Sequence, residues 1–492
     1  MIEISKRIGH TSSMSDPPTI TISAEDWAAT PPAVQAALEQ LLAYVAELSG
    51  EMRDLRAKIN QNSHNSSKPP SSDPPSAPPR PKNTPRGRKA GGQPGHKGHS
   101  RPLVDQKDVQ EIIACRPEQC PSCQEPLAQT LPDVCRILRT QVWELPPIVP
   151  HITEYQQHSV CCPACGALAQ GARPVDAAPG GYGARATALA SFFHGRLRLS
   201  ERETASALLD VCGLPISVAS VVRCCERTAD ALAPVYDRLA SVQQQQKVIN
   251  ADETSWKEAL NRAWLWVAVS TLATVFLLTL NRKRESLQRL IGADYAGILG
   301  SDRHTAYNGR DAALRQVCWS HLSRNLAALA DYGHPDSAWA NELLAQVDKV
   351  FEQWYRYRNK EVDRAGLQAA LLPVQQALRE GLERGQQSGW HRISGLSREL
   401  LTLWEGLWVF VTTEGVEPTN NAAERALRPA VLWRKGCFGT RSAAGSRFVE
   451  RMLTVSATCA QHDRHLLTFL TEAIDAHWRG LPAPILVPSA IP

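Results

Sequence analysis

Three acidic residues, Asp252, Asp302 and Glu424, stand in settings that suit metal-dependent phosphoryl transfer. Asp252 ends the apolar run Val248-Ile249-Asn250-Ala251. Asp302 follows Ala296-Gly297-Ile298-Leu299-Gly300-Ser301, a short run that reads as a buried strand. Glu424 lies in Asn420-Asn421-Ala422-Ala423-Glu424-Arg425, which reads as a helix start. A carboxylate at the end of a buried strand is costly unless it meets something charged. Carboxylates from two strands and a helix can hold two Mg2+ (or Mn2+) ions about 4 Å apart, the arrangement used by nucleases and polymerases. Glu253, beside Asp252, is the first replacement to consider if one of the three is not a ligand.

A second metal chemistry is written in cysteine. Cys120-Pro121-Ser122-Cys123 and Cys162-Pro163-Ala164-Cys165 are two CxxC knuckles. Residues 141–145 and 152–155 between them read as strands. Brought together, the two knuckles make a closed four-thiolate Zn2+ site, structural rather than catalytic. Cys115, Cys135, Cys161, His151 and His158 are left over, and Cys161 is near enough to stand in for Cys162.

The elements that must position the acids follow from periodicity. After Asp252 come two apolar runs, at 263–269 and 274–280, then a short helix that Ser286 caps, then the run ending at Asp302. Strand, strand, strand, helix, strand, with acids on the first and fourth strands, is the front half of a ribonuclease H-like fold. Residues 263–280 have nearly the length of a membrane span. Their β-branched content and polar break at Ser270-Thr271 argue for strands instead. The helical stretches between Asp302 and Glu424 form an insertion at about 322–410, in which His321 is a candidate assistant or a structural histidine.

The chain resembles the DDE transposases of the insertion sequence 66 family. The matching residues are Asn65-Ser66-Ser67-Lys68-Pro69-Pro70-Ser71-Ser72-Asp73, Gly91-Gly92-Gln93-Pro94-Gly95-His96-Lys97-Gly98 and Ala251-Asp252-Glu253-Thr254. Further matches are Ser301-Asp302-Arg303 with Tyr307, Cys318-Trp319-Ser320-His321, and Asn420-Asn421-Ala422-Ala423-Glu424-Arg425. The resemblance implies a transposase that cleaves and joins DNA strands at the ends of a bacterial mobile element. It also implies DNA partners (element ends and target) and accessory proteins encoded by the same element.

Composition sets the frame. At 492 residues with 43% hydrophobic content, the chain has room for several domains with real cores. The net charge of +5 is modest, but the basic residues cluster. Arg86, Arg88, Lys89 and Lys97 fall in a segment rich in Pro, Ser and Gly at 61–102, and Arg425, Arg428, Arg434 and Lys435 follow Glu424. Both clusters suit phosphate contacts. Thirteen cysteines without a secretory signal point to a reducing cytoplasm, with association to the nucleoid expected of a DNA-binding protein and no membrane partner.

The expected class is therefore multidomain α+β. Residues 1–30 form a loose tail. Val34, Leu38, Leu41, Val45, Leu48, Met52, Leu55 and Ile59 make an a/d seam over 31–60, a coiled coil that pairs this chain with a second copy or more. The basic linker at 61–102 precedes a zinc-ribbon-like module at 103–172. Residues 181–240 are helical and fit a helix-turn-helix, with a second helix at 217–227 presenting Ser217, Ser220 and Arg223. The ribonuclease H-like core with its helical insertion spans 245–460, and 461–492 hold a final helix and tail.

Overall fold

A computed structural model describes residues 23–63, 65, 66, 73, 101–134, 137–174 and 177–488. Arg86, Arg88, Lys89 and Lys97, the motif at 91–98 and Cys135 lie outside the described residues. The chain divides into two compact units, one of residues 1–78, 155–206 and 216–492, the other of residues 79–154 and 207–215.

The larger unit is built on a five-stranded sheet. Its strands are β1 (Val248–Glu258), β2 (Asn261–Val269), β3 (Thr274–Thr279), β4 (Ile298–Ser301) and β5 (Arg315–Val317). Their spatial order is β3-β2-β1-β4-β5. β1, β2 and β3 form an antiparallel meander, while β4 and β5 run parallel to β1. The stretch considered as a membrane span is the β2–β3 hairpin, closed where Ser270 N–H donates to the Ala273 carbonyl at 2.9 Å. Among the described residues no helix is long and apolar enough to cross a membrane.

β1 departs from its sequence reading. It continues six residues past Asp252, pairing with β2 from Asn250 against Val269 to Glu258 against Asn261. Asp252 thus sits inside a strand rather than at its end. The apolar run marks only the part of β1 covered on both faces. The rest is held by the ladder to β2 and by Trp256, which is 1% exposed.

Helices cover the sheet. The first two labelled helices are α1 (Pro32–Ile59) and α2 (Glu201–Cys212), followed by α3 (Val218–Gln244) and α4 (Arg284–Ile291). α4 starts two residues before Ser286, whose hydroxyl bonds Asn281 Oδ1 at 2.8 Å instead of capping. The insertion consists of α5 (Trp319–Ala330), α6 (Ser337–Arg358), α7 (Arg364–Gln386), α8 (His391–Thr402) and α9 (Trp404–Thr412). α10 (Asn421–Cys437), α11 (Ala443–Gln461) and α12 (Leu466–Trp478) complete the chain. The insertion has its own core, with Trp319, Leu343, Val347, Leu371 and Phe410 buried together.

α3 is longer than the expected recognition helix at 217–227. Val221, Thr228, Leu232, Val235, Leu239 and Val242 recur at helical spacing and are buried, so the helix carries on along the core for 27 residues. Ser217 caps it through the Ser220 N–H at 3.2 Å, and Arg223 remains exposed. α2 begins with a capping box: Glu203 N–H donates to Ser200 Oγ at 3.2 Å and Ser200 N–H to Glu203 Oε2 at 2.9 Å.

Two further segments differ from expectation. Ala24–Ala29 forms a short helix capped by Ser23, so residues 23–30 are not a loose tail. Residues 141–145 and 152–155 form no strands; the chain there has no ladder partner, and an extended segment without one is not a strand. Near the second knuckle Ser159–Cys161 pairs with Leu168–Gln170, and a single bridge of Gln119 with Pro126 flanks the first.

α1 is a continuous helix with no buried residue. Its seam is bare in the single chain, with Leu41 56%, Leu48 43% and Leu55 57% exposed. Its C-terminal end is tied down where Asp54 meets Arg392 at 2.8 Å and Tyr332 at 2.7 Å. Removal of residues 1–60 is expected to lower the mass measured by light scattering, and Leu48→Asp with Met52→Asp to do the same. An unchanged mass for both would end the coiled-coil reading.

The core also holds a titration handle. Glu450 on α11 accepts the Leu278 N–H of β3 at 2.5 Å, and burial pushes its carboxyl up to about 7. The folded chain therefore keeps this proton across a range, from about 4.5 to 7, in which the unfolded chain has lost it. Stability is expected to fall as pH rises through that window. Glu450→Gln should flatten the decline and raise the melting temperature at pH 8; a parallel pH profile for the two proteins would overturn this.

Candidate active site

Parallel pairing brings two of the acids together. β1 and β4 match Val248 with Ile298 and Asn250 with Gly300. Asp252 and Asp302 each lie two residues beyond the last pair of that ladder, and Asp302 is among the charges that push the Asp252 carboxyl up. Gly300 permits the close approach, since a Cβ there would lie 2.3 Å from Asn250 Oδ1. β5 matches β4 with Ser301 beside Val317, which puts Cys318 level with Asp302 at the carboxyl end of the parallel strands. That end is where open α/β sheets bind ligands.

The loop after Asp302 is fixed from beneath. Arg315 on β5 is 1% exposed. Its guanidinium donates to the Asp302 carbonyl at 2.7 Å, Ser301 Oγ at 3.2 Å and the Tyr307 carbonyl at 3.3 Å. Asp302 Oδ1 accepts the His304 N–H at 2.8 Å. Arg303 turns away to Glu399 of α8 and to Asn325 Oδ1 at 2.8 Å, bracing the insertion on this loop.

Glu253 is not a ready substitute ligand. It points to the opposite face of β1 from Asp252, where its side chain is fully buried. Arg282 holds Oε1 at 2.5 Å, and Tyr307 donates to Oε2. Its place in the Ala251-Asp252-Glu253-Thr254 motif is that of a buried ion pair beneath the site.

Glu424 reaches the site from the first turn of α10. Asn420, 1% exposed, fixes that turn: its Nδ2 donates to the Ala251 carbonyl at 2.7 Å, and its backbone N–H donates to Cys318 Sγ at 3.2 Å. Glu424 Oε1 lies 3.0 Å from Arg324 and 3.6 Å from His321 Nδ1. Residue types alone did not reveal Asn420, Arg315 or Arg324. Asn420 was legible only as a member of a motif, and the two arginines carried no local signal.

Charge explains what the pocket lacks. Burial pushes the Asp252 carboxyl well above the usual carboxylate range, and Glu253, Asp302 and Glu424 push it the same way. The nearby cations are committed: Arg282 to Glu253, Arg315 to backbone, Arg303 to Glu399. A divalent cation would relieve this repulsion, so the oxygen-only trio of Asp252, Asp302 and Glu424 fits Mg2+ or Mn2+.

The acids do not converge fully. Among the described residues the donors that approach within 4.8 Å of one another are Cys318, His321 and Glu424. That set differs from a soft-metal site in two ways. Burial pushes the Cys318 thiol up to about 11, so it is protonated at neutral pH, and Arg324 already neutralises Glu424. Burial and Arg324 also hold His321 below the usual imidazole range, and its buried Nδ1 has no hydrogen-bond partner. His321 is thus a neutral imidazole beside Glu424.

The basic residues after Glu424 divide by role. Arg425 and Arg428 are exposed on one face of α10, as is Lys435. Arg434 is a tie, donating to Thr254 Oγ1 at 2.9 Å and Ser255 Oγ at 2.8 Å.

The two knuckles share one local geometry. Cys120 N–H donates to the Glu125 carbonyl at 3.0 Å and its carbonyl accepts the Gln124 N–H at 2.8 Å. Cys162 does the same with Ala167 and Gly166, both at 2.8 Å. Gln124 (φ 62°) and Gly166 (φ 74°) take the left-handed turn this requires. Backbone N–H groups of Cys123 and Ser122 lower the Cys120 thiol, and those of Ala164 and Cys165 lower Cys162. Cys162, not Cys161, opens its knuckle. Cys120 and Cys123 belong to one compact unit, Cys162 and Cys165 to the other.

The Transposase IS66 family matches residues 201–447, half of the chain and all of the site just described, and the chain belongs to that family. It is thus a DNA-binding, DNA-processing enzyme of a mobile-element family. A family of unknown function (DUF6444) matches residues 25–102. The uncharacterized protein y4hP of Sinorhizobium fredii (strain NBRC 101917 / NGR234) is 26% identical over 411 residues, covering 74% of this chain and 71% of its own length. The uncharacterized protein y4qI of the same organism is 25% identical over 245 residues, 45% of each chain.

Proposed function

We propose that this chain cleaves DNA strands at the ends of a bacterial insertion sequence and joins them to a target, using Asp252, Asp302 and Glu424 as ligands for Mg2+ (or Mn2+). The observation that supports the reading is the parallel pairing of Asn250 with Gly300, which leads into Asp252 and Asp302, together with the mutual repulsion of the carboxylates around Asp252. The sheet order β3-β2-β1-β4-β5, with one acid on the first strand, one directly after the fourth and a third on a helix after the insertion, supports the reading of a ribonuclease H-like core. Metal held by these three residues would supply activation of a water or a DNA 3′-hydroxyl and stabilisation of the leaving oxygen at phosphorus.

The chain's own groups do the positioning. Asn420 fixes the turn that carries Glu424, and Arg315 fixes the loop that carries Asp302. Arg425 and Arg428 lie next to Glu424 and one turn on, where they meet phosphates of the bound strand. Arg324, which donates to Glu424 at 3.0 Å, would be placed to meet a DNA phosphate were that carboxylate to hold a metal ion. His321 lies beside Glu424, its Nδ1 3.6 Å from Oε1.

Zn2+ is the reading for Cys120, Cys123, Cys162 and Cys165, because each knuckle favours the thiolate form. Metal analysis of reduced protein is expected to find one zinc per chain, and Cys123→Ser to lose it and weaken DNA binding. Protein free of zinc would end this reading. The basic segment at 61–102 with Arg86, Arg88, Lys89 and Lys97, the exposed residues Ser217 and Arg223, and paired copies of α1 supply further hold on the element ends.

The deciding experiment is incubation of the full chain with candidate element ends and Mg2+, resolved for nicks and joined products. Nicks without joining would make it a nuclease on the same fold. Binding without nicks would make it a non-catalytic relative.

A further inference from the structure

The β1–β2 hairpin carries an apolar tip that the protein does not use for its own packing. β1 ends at Glu258, opposite Asn261, and Ala259 and Leu260 form the turn. Leu260 is fully exposed. Beside it α10 ends on Phe438, which is 77% exposed. Ala259 (φ 52°) and Phe438 (φ 60°) both hold the left-handed conformation, which a bulky residue such as Phe438 adopts only at a cost.

The strain is held in place. Ala259 N–H donates to the Thr440 carbonyl at 2.7 Å, and Thr440 N–H to the Lys257 carbonyl at 2.9 Å. Gly439 allows this stitching, since a Cβ there would sit 2.4 Å from the Lys257 carbonyl oxygen. The hairpin tip and the helix end form one rigid lip, and Leu260 and Phe438 are presented by it.

Between them lies an open pocket of about 610 Å3, lined also by Trp256, Lys257, Arg262 and Lys435. An apolar floor with a rim of four cations, of which Arg434 is tied to Thr254 and Ser255, complements a group that is flat and apolar yet flanked by phosphates. The pocket is aligned with the acids. α10 and β1 pack together along their length, and Lys435 follows Glu424 by eleven residues, about 17 Å or five base pairs along a duplex.

The geometry points to this pocket as the seat of an unstacked DNA base, some five base pairs from the reacting phosphate. The base lies against Phe438 and Leu260, and Lys257, Arg262 and Lys435 meet the phosphates on either side of it. A base lifted from the stack would mark a distorted or frayed element end, so the pocket would select the end's structure rather than its sequence. The inference rests on the DNA-processing reading of the site.

The test uses the full chain with two fluorescein-labelled duplexes, one fully paired and one carrying a single unpaired thymine. The expected result is about tenfold tighter binding of the second, within the range of base stacking on an aromatic side chain. Leu260→Ser combined with Phe438→Asn should bring the ratio to one while leaving affinity for the paired duplex unchanged. Neither change threatens the fold, because Leu260 is fully exposed and asparagine tolerates the left-handed conformation. A wild-type ratio of one, or a tenfold ratio kept by the double variant, overturns the pocket and leaves the DNA-processing reading standing. Failure of the wild type to bind either duplex overturns both. A lower oligomeric mass for the double variant would give the tip to a second copy and likewise overturn the inference.

Discussion

Asp252→Asn, Asp302→Asn and Glu424→Gln are each expected to reduce Mg2+-dependent strand cleavage by about a thousandfold, the several kcal/mol of charge stabilisation that bound metal supplies. DNA binding should persist, because Arg425, Arg428 and Lys435 are untouched. Asp252→Asn has a second signature. Asp252 is buried among Glu253, Asp302 and Glu424 with its carboxyl pushed well above the usual range, so charge at this position destabilises the metal-free fold. The neutral isostere can still accept the Glu253 N–H at 2.9 Å. The variant should therefore melt at a higher temperature than wild type while being inactive. Near wild-type nicking by any one variant would remove that residue from the ligand set. A lower melting temperature for Asp252→Asn would mean the carboxylate is compensated by contacts other than a metal.

Asn420→Ala is expected to cost about a hundredfold in nicking, the scale of effect of displacing a reacting group by about 1 Å. The side chain touches none of the three acids' oxygens directly; it ties the start of α10 to the Ala251 carbonyl, one residue before Asp252. Its loss leaves a buried carbonyl unpaired, a penalty of about 1–3 kcal/mol that calorimetry should register. A purely structural residue would lower stability alone. A positioning residue should also raise the Mg2+ concentration required for half-maximal nicking, because Glu424 is then held less firmly against Asp252 and Asp302. An unchanged Mg2+ dependence in folded Asn420→Ala protein would assign Asn420 to stability only.

Local pattern determined a good part of this protein. The apolar runs at 248–251, 263–269 and 274–280 announced β1, β2 and β3, because a two-residue period or a short buried run is a property of the strand itself. The heptad spacing from Val34 to Ile59 announced α1, and the paired CxxC spacing announced two knuckle turns, for the same reason. Asp252 and Asp302 stood out as candidates because a carboxylate ending an apolar run is physically conspicuous, and Glu424 because it lies in a helix start. Family membership then followed from several motifs in one order.

Tertiary structure decided the rest. Where β1 ends depends on β2, since a ladder can carry Thr254, Lys257 and Glu258 well past the apolar run. That α3 is a core helix of 27 residues depends on the sheet it covers, and that residues 141–145 are not a strand depends on the lack of a partner. Most of all, the relation between the acids is a matter of register. Asp252 and Asp302 are fifty residues apart and become neighbours because Asn250 pairs with Gly300. Glu253 looked equivalent to Asp252 in the sequence, yet the period of two sends it to the other face, into the keeping of Arg282 and Tyr307. Arg315, Arg324 and Asn420 are invisible to local pattern because their partners lie far along the chain, and only the folded sheet and insertion bring them to the site.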